Sequence, residues 1–166
     1  MRLPDIVIYT DGACSGNPGA GGYGAIMVYG QHEKELWGGF RLTTNNRMEI
    51  LASIIGLEAL NKPSKVKVVT DSRYLVDTIT KGWAKKWRSK GWMRTPKEKA
   101  KNWDLWERML PLCDEHDVTW QWVKGHSGHV MNERADVLAV QARDDRMCYD
   151  IDSFFEACES EGVDAP

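Results

Sequence analysis

The sequence predicts a single α/β domain in which helices cover both faces of a five-stranded mixed sheet. Three observations predict it. Short β-branched runs alternate with longer stretches of helical spacing. The first three strand-like runs are separated only by turns, as an antiparallel meander requires. The last two are each reached through helical segments, so they add in parallel by crossover connections. At 166 residues, with 42% hydrophobic and 28% charged side chains, the chain has material for one core and a soluble surface.

Residues 5–10 (DIVIYT) read as a strand stopped by Asp11-Gly12. A glycine-rich turn follows, then strands over residues 24–29 and 35–42, with 30–34 turning the chain between them. Residues 43–47 are a polar break of helix-starting types. Met48, Leu51, Ala52, Ile55 and Ala59 keep helical spacing, and Ile50, Ile54 and Leu57 make this helix apolar nearly all round, which predicts burial between a sheet and another helix. Pro63-Ser64 ends the segment. Residues 66–70 are a strand stopped by Asp71-Ser72, and 73–80 read as a helix. After a basic Trp/Lys stretch, Asn102 is placed to cap a helix with Trp106, Met109, Leu110 and Cys113 on one face, kinked or shortened by Pro111. Residues 118–123 alternate as a strand, 125–129 form a loop, and Asn132 is placed to cap a helix running to Arg143.

The net charge of −2 hides an uneven distribution. Residues 144–166 carry eight acids against Arg146 alone, whereas residues 81–102 carry nine Lys/Arg against Glu98 alone. Such a basic cluster is either a polyanion contact or a solvated helix face; charge by itself does not choose. No apolar run approaches the roughly 18 residues of a membrane span. The N-terminal MRLPDIVIYTDG has no secretory apolar segment or cleavage site, so a cytoplasmic protein is expected. Cys14, Cys113, Cys148 and Cys158 show neither CxxC nor zinc spacing and are expected to be free thiols.

Residues 19–24 (GAGGYG) match GxGxxG after a strand. A dinucleotide site needs a helix to begin there, and the continuation AIMVY is a strand. A kinase-type glycine loop is excluded by length and by the lack of HRD and DFG segments. A tight hairpin is the better reading.

Four acids stand out. Asp11 ends the first strand and Asp71 the fourth; if those strands are parallel neighbours, both carboxylates emerge at the same carboxyl edge. Glu49 lies in the first turn of the apolar helix and Asp136 near the start of the last one. Singly, each has an ordinary structural use, in an Asp-Gly turn, a cap or a helix dipole. Converging on one edge, they would repel one another unless a cation neutralised them. Carboxylates without Cys or His partners suit a hard, oxygen-preferring ion such as Mg²⁺, and two such ions about 4 Å apart serve in-line phosphoryl displacement.

Thr10-Asp-Gly-Ala-Cys14 with Gly16–Gly24 (GNPGAGGYG), Thr43–Glu49 (TTNNRME), Thr70-Asp-Ser72, and Trp122–His126 (WVKGH) with Asn132–Asp136 (NERAD) together resemble bacterial ribonuclease HI, in order from about residue 5 to residue 143. The resemblance implies a ribonuclease H-like fold over residues 1–145, with 146–166 an acidic tail that is either disordered or packed on the body. It implies an endonuclease that cuts the RNA strand of RNA–DNA hybrids with little sequence preference, leaving 3′-hydroxyl and 5′-phosphate ends. Asp11, Glu49, Asp71 and Asp136 become the metal-binding carboxylates for Mg²⁺, with Mn²⁺ as a substitute, and His126 the mobile-loop histidine of proton transfer or product release. Glu133 is a possible second acid beside Asp136.

For hybrid binding, the resemblance implies Asn45, Asn46 and the backbone of Cys14–Asn17 at the 2′-hydroxyls, and Asn17, Thr44 and Asn102 at a DNA phosphate. The basic stretch resembles the family's protruding handle, with Trp83, Trp87 and Trp92 interleaved by Lys85, Lys86, Arg88, Lys90 and Arg94. Trp83 is assigned mainly to anchoring and Trp87 and Trp92 to DNA sugars, the lysines supplying salt-dependent affinity. Arg73 replaces a residue that is often neutral in the family and adds a possible phosphate contact. The expected chain is a monomer with no membrane association and no obligate protein partner. Two alternatives stay open: a non-catalytic hybrid-binding module, which would normally have lost a carboxylate, and a DNA nuclease of the same fold.

Overall fold

A computed structural model describes residues 5–160. The expectations for the residues before Asp5 and for the last six residues of the acidic tail fall outside the described residues. The strands are β1 (Asp5–Cys14), β2 (Gly19–Tyr29), β3 (His32–Thr43), β4 (Lys65–Thr70), β5 (Asp117–Trp122) and β6 (Tyr149–Asp150), ordered β5-β4-β1-β2-β3-β6. β1, β2 and β3 form the antiparallel meander, and β4 and β5 add in parallel beside β1. The helices are α1 (Asn45–Glu58), α2 (Arg73–Thr80), α3 (Trp83–Ser89), α4 (Trp103–Glu115), α5 (Val130–Asp144) and α6 (Ser153–Ser160).

The sheet therefore has six strands, not five. The additional one, β6, comes from the acidic tail and pairs in parallel with β3 through Gly39 and Phe40. Two residues are too few to show a period, so nothing local announces this strand.

The glycine-rich segment is also not a turn. β1 runs straight through Asp11-Gly12 to Cys14, paired with Gly21–Gly24 of β2, and only residues 15–18 turn the chain. The glycines are there for a close approach. A Cβ at Gly22 would lie 2.3 Å from the Ala139 carbonyl oxygen, one at Gly24 2.4 Å from that of Ala135, and one at Gly39 2.2 Å from that of Ala142. Helix α5 thus rests its own small residues directly on bare backbone. On the opposite face, Gly12 touches the Met48–Glu49 backbone and Gly56 meets Ile8, which seats α1 equally closely.

The core lies between the sheet, α1 and α4, with Ile8, Ile54, Leu57, Val68, Trp106 and Met109 fully or almost fully buried. Thr44 caps α1 by accepting from the Arg47 amide, which explains where that apolar helix starts. Other expected helix boundaries need correction. α5 begins at Val130, so Asn132 lies inside its first turn and donates from Nδ2 to the Val69 carbonyl instead of capping. Asn102 does precede α4, but with φ 60° and no side-chain cap. Pro111 does not shorten α4, which continues to Glu115.

Residues 149–160 lie against the body. Phe155 is fully buried, Phe154 meets Trp103 edge-on at 5.4 Å, and Glu156 pairs with Arg41 through both carboxylate oxygens. Asp152 holds Arg47, whose side chain is only 2% exposed, with Nε–Oδ2 at 2.7 Å. The other edge of the same guanidinium pairs with Asp104 at 2.9 and 2.7 Å. A buried cation needs such partners, because desolvating an unpaired charge costs several kcal/mol.

Candidate active site

The parallel register of β1 and β4 runs from Asp5 opposite Lys65 to Tyr9 opposite Val69. Asp11 and Asp71 lie two residues beyond its last pair, one on each chain segment, at the shared carboxyl edge. Gly12 then brings the α1 backbone against β1, placing Glu49 beside Asp11. One oxygen from each of Asp11, Glu49 and Asp71 lies within 4.8 Å of the others, Asp11 and Glu49 being buried. Asp136 enters from the second turn of α5, close enough to Asp11 to act on it by hydrogen bonding. Together with His126, Glu133 and Lys124 it lines a small recess of about 10 Å³, the scale of an ion or a water and not of a base. A roomier apolar recess between Tyr29, His32 and Leu60 contains no acid cluster.

Crowding shows in the proton affinities. Burial, then the charge of Asp71 and a hydrogen bond with Asp136, push Asp11 up to about 8. Glu49 is pushed well above the usual carboxyl range by burial and by the neighbouring Asp11 and Asp71. Asp71 is raised by burial, with His126 offsetting part of the effect. Without a counter-ion Asp11 therefore holds a proton near neutrality, and its two neighbours are shifted in the same direction. Glu49 Oε2 is buried without a hydrogen-bond partner, and such an oxygen needs compensation. An all-oxygen donor set with an orphaned carboxylate oxygen fits a hard divalent cation.

His126 is exposed on the 123–129 loop with φ 55°, a conformation that costs a non-glycine residue energy. Gly125 beside it passes so close to Asp71 that a Cβ would sit 2.8 Å from Oδ2. His129 lines the same recess. Arg73 stacks on the Trp122 ring at 4.2 Å, and Trp122 Nε1 donates to the Asp71 carbonyl, which keeps a cation beside the acids.

The residues expected to touch nucleic acid divide into groups. Cys14, Asn17, Thr44, Asn45 and Asn46 come together at the same sheet edge, with the Asn45 amide donating to Asn17 Oδ1 at 3.3 Å. The Cys14 thiol points inward, to the Gly19 and Thr43 carbonyls. Asn102 is 2% exposed, its Oδ1 taken by Arg47 and its Nδ2 by Tyr74 Oη. Its side chain therefore braces α1 against α2 and α4. On the handle, Lys85, Lys86, Arg88 and Lys90 are exposed and Trp87 is half-buried. The burial of Trp83 and Trp92 runs opposite to that expected of an anchor and an exposed sugar contact. Trp92 is 8% exposed and packs 6.5 Å from Trp103, whereas Trp83 is 40% exposed. Sequence reasoning missed Arg47 altogether as a structural centre. The only local signal was a basic side chain at the start of an otherwise apolar helix.

Comparisons with known proteins agree with this geometry. The RNase H family model matches residues 4–144. A ribonuclease H of Rippkaea orientalis is 64% identical over 137 residues, covering 82% of this chain and 84% of the relative. A ribonuclease HI of Synechocystis is 59% identical over 138 residues, 82% and 86% of the two chains. Among solved structures, LC9-RNase H1, a type 1 enzyme with the type 2 active-site motif, aligns at TM-score 0.77 and 33% identity over 86% of this chain and 74% of its own. RNase H1 of Halobacterium salinarum aligns at 0.62 and 28%, over 85% and 98%. With its mixed sheet, its seated helices and its cluster of acids at one edge, the chain belongs to the ribonuclease H family.

Proposed function

We propose that this chain is a divalent-metal-dependent endonuclease that hydrolyses the RNA strand of RNA–DNA hybrids, leaving 3′-hydroxyl and 5′-phosphate ends. The observation that carries the reading is the acid cluster: Asp11, Glu49 and Asp71 within 4.8 Å of one another, with Asp136 across from Asp11. Asp11 and Asp71 would hold the metal at the centre of the site, with Glu49 and Asp136 as the further carboxylates that would complete its coordination. When bound, Mg²⁺, or Mn²⁺ in its place, supplies a Lewis acid that acidifies water and neutralises charge on the reacting phosphate. The protein's part is to hold four carboxylates from distant segments in a shape that needs no rearrangement at the moment of reaction. His126, exposed at the mouth, is placed to carry a proton to or from solvent.

Asn45, Asn46 and the 14–17 main chain offer hydrogen-bonding groups to 2′-hydroxyls, which separate RNA from DNA. Asn17 and Thr44 lie beside them to position a phosphate, and the handle cations add sequence-independent attraction. All four acids come from one chain, so a monomer suffices. Among the described residues no disulfide joins any two cysteines, which fits a reducing, cytoplasmic location, and no helix is long and apolar enough to cross a membrane.

The test is incubation of end-labelled hybrid, duplex DNA and duplex RNA with Mg²⁺, with and without EDTA. Metal-dependent cleavage confined to the RNA strand of the hybrid is expected. Binding without cleavage would favour a hybrid-binding module, and cleavage of duplex DNA a DNA nuclease; either refutes the proposal.

A further inference from the structure

Thr43 and Arg47 stand on either side of the three-residue segment that carries Thr44, Asn45 and Asn46. One carboxylate holds both. Thr43 Oγ1 donates to Asp152 Oδ2 at 2.8 Å, Arg47 Nε donates to the same oxygen at 2.7 Å, and Arg47 Nη2 donates to Oδ1 at 3.0 Å. Asp152 is itself fixed, because Oδ1 also accepts the Phe155 amide at 3.3 Å and Phe155 is fully buried.

Neutralising Arg47 does not account for this arrangement. Asp104 already pairs with the guanidinium through both oxygens, so one buried cation faces two carboxylates. The second does something beyond charge balance. Between the two clamped residues, the Asn45 and Asn46 side chains are exposed and make no hydrogen bond of their own among the described residues, while the Asn45 amide is tied to Asn17. The main chain is fixed and the side chains are left open. Such pre-organisation spares a ligand the cost of ordering its own contacts.

We propose that Asp152 is a positioning residue for substrate binding: it clamps the Thr43–Arg47 segment so that Asn45 and Asn46 meet the hybrid already in place. The C-terminal segment thereby belongs to the binding surface although it touches no substrate. The inference rests on the hybrid-hydrolase reading. Glu49, two residues beyond Arg47, is held separately by the packing of α1 on Gly12, so the clamp governs binding more than turnover.

The experiment is steady-state cleavage of a labelled hybrid at saturating Mg²⁺, at a temperature where circular dichroism shows each variant folded. Losing charge-assisted hydrogen bonds in Asp152→Asn should raise KM about fivefold while kcat stays within about twofold. Thr43→Val removes one bond of the clamp and leaves the Arg47 pairs intact; it should raise KM about twofold, and it decides the matter if Asp152→Asn does not fold. In an Asn45→Ala/Asn46→Ala background, neither change should raise KM further. Unchanged KM in a folded clamp variant, or a full additional rise in that background, would overturn the proposal. Failure of the underlying reading looks different: wild-type protein would not cleave the hybrid, or the Asn45→Ala/Asn46→Ala variant would keep its KM.

Discussion

Gly24 is the position where a single methyl group tests the architecture most sharply. It pairs with Asp11 across the β1–β2 ladder and lies beneath Ala135, the neighbour of Asp136. A Cβ there would meet the Ala135 oxygen at 2.4 Å, Leu138 Cβ at 2.8 Å and the Ala139 nitrogen at 3.0 Å. Ordinary contact begins near 3.4 Å, and none of these atoms can swing aside, so α5 must lift by about 1 Å. Overpacking of this kind costs about 1–3 kcal/mol; at 2 kcal/mol, Tm falls by about 4–8 °C for a chain of this size. The larger effect falls on catalysis. A displacement of about 1 Å at a reacting centre lowers rate by about 10²-fold. Gly24→Ala should therefore lose roughly two orders of magnitude in kcat on a labelled hybrid while remaining folded. Gly30→Ala is the control: φ is +60° but nothing lies within 4 Å, so it should cost about 1 kcal/mol of strain and leave kcat alone. A Gly24→Ala protein with wild-type Tm and activity would show that α5 does not depend on a bare-backbone seat.

Asp11→Asn should abolish cleavage while an electrophoretic shift still reports hybrid binding; substantial residual turnover would remove Asp11 from the metal centre. In EDTA, the folded protein holds protons on Asp11 that the unfolded chain releases above the ordinary value of 3.8, so stability should fall as pH rises from there to about 8. Mg²⁺ relieves that penalty, so its stabilisation in a thermal melt should be larger at pH 8 than at pH 5, and a pH-independent gain would contradict the account. Exchanging Lys85, Lys86, Arg88 and Lys90 for Gln should raise KM and flatten its logarithmic salt dependence by about 0.9 for each phosphate that is no longer neutralised; an unchanged slope would take the handle off the substrate. Phe155→Ala should cost about 3–5 kcal/mol, seen as a lowered urea midpoint, if α6 is integral to the fold.

The convergence of Asp11 and Asp71 was legible in the sequence because strand period and β-branched composition place both just beyond short runs that pair in parallel. The meander and the buried α1 were legible for the same reason. That β1 and β4 are parallel neighbours in register came from the structure. What failed was contact between distant backbones. The residues at 19–24 look like turn chemistry, and their use as a seat shows only when Gly22 and Gly24, two apart, are matched to Ala135, Ala139 and Ala142 on the facing helix. Trp92 and Asn102 sit in a basic stretch that reads as exposed, yet Trp103, Tyr74 and Arg47 enclose them. No local rule could pair Arg47 with acids at 104 and 152, and the two-residue β6 is shorter than any detectable alternation.

The guanidinium at the heart of this protein also sets an order of events during synthesis. Arg47 emerges from the ribosome with the first third of the chain, but one of its counter-charges lies more than a hundred residues downstream. Until residues 149 and 150 are made, the β3 edge lacks its β6 partner, and Asp152 then adds its carboxylate to a guanidinium that Asp104 already pairs. A nascent chain stalled before that point would expose an unpaired strand edge at Gly39 and Phe40, the kind of edge that invites pairing with another chain.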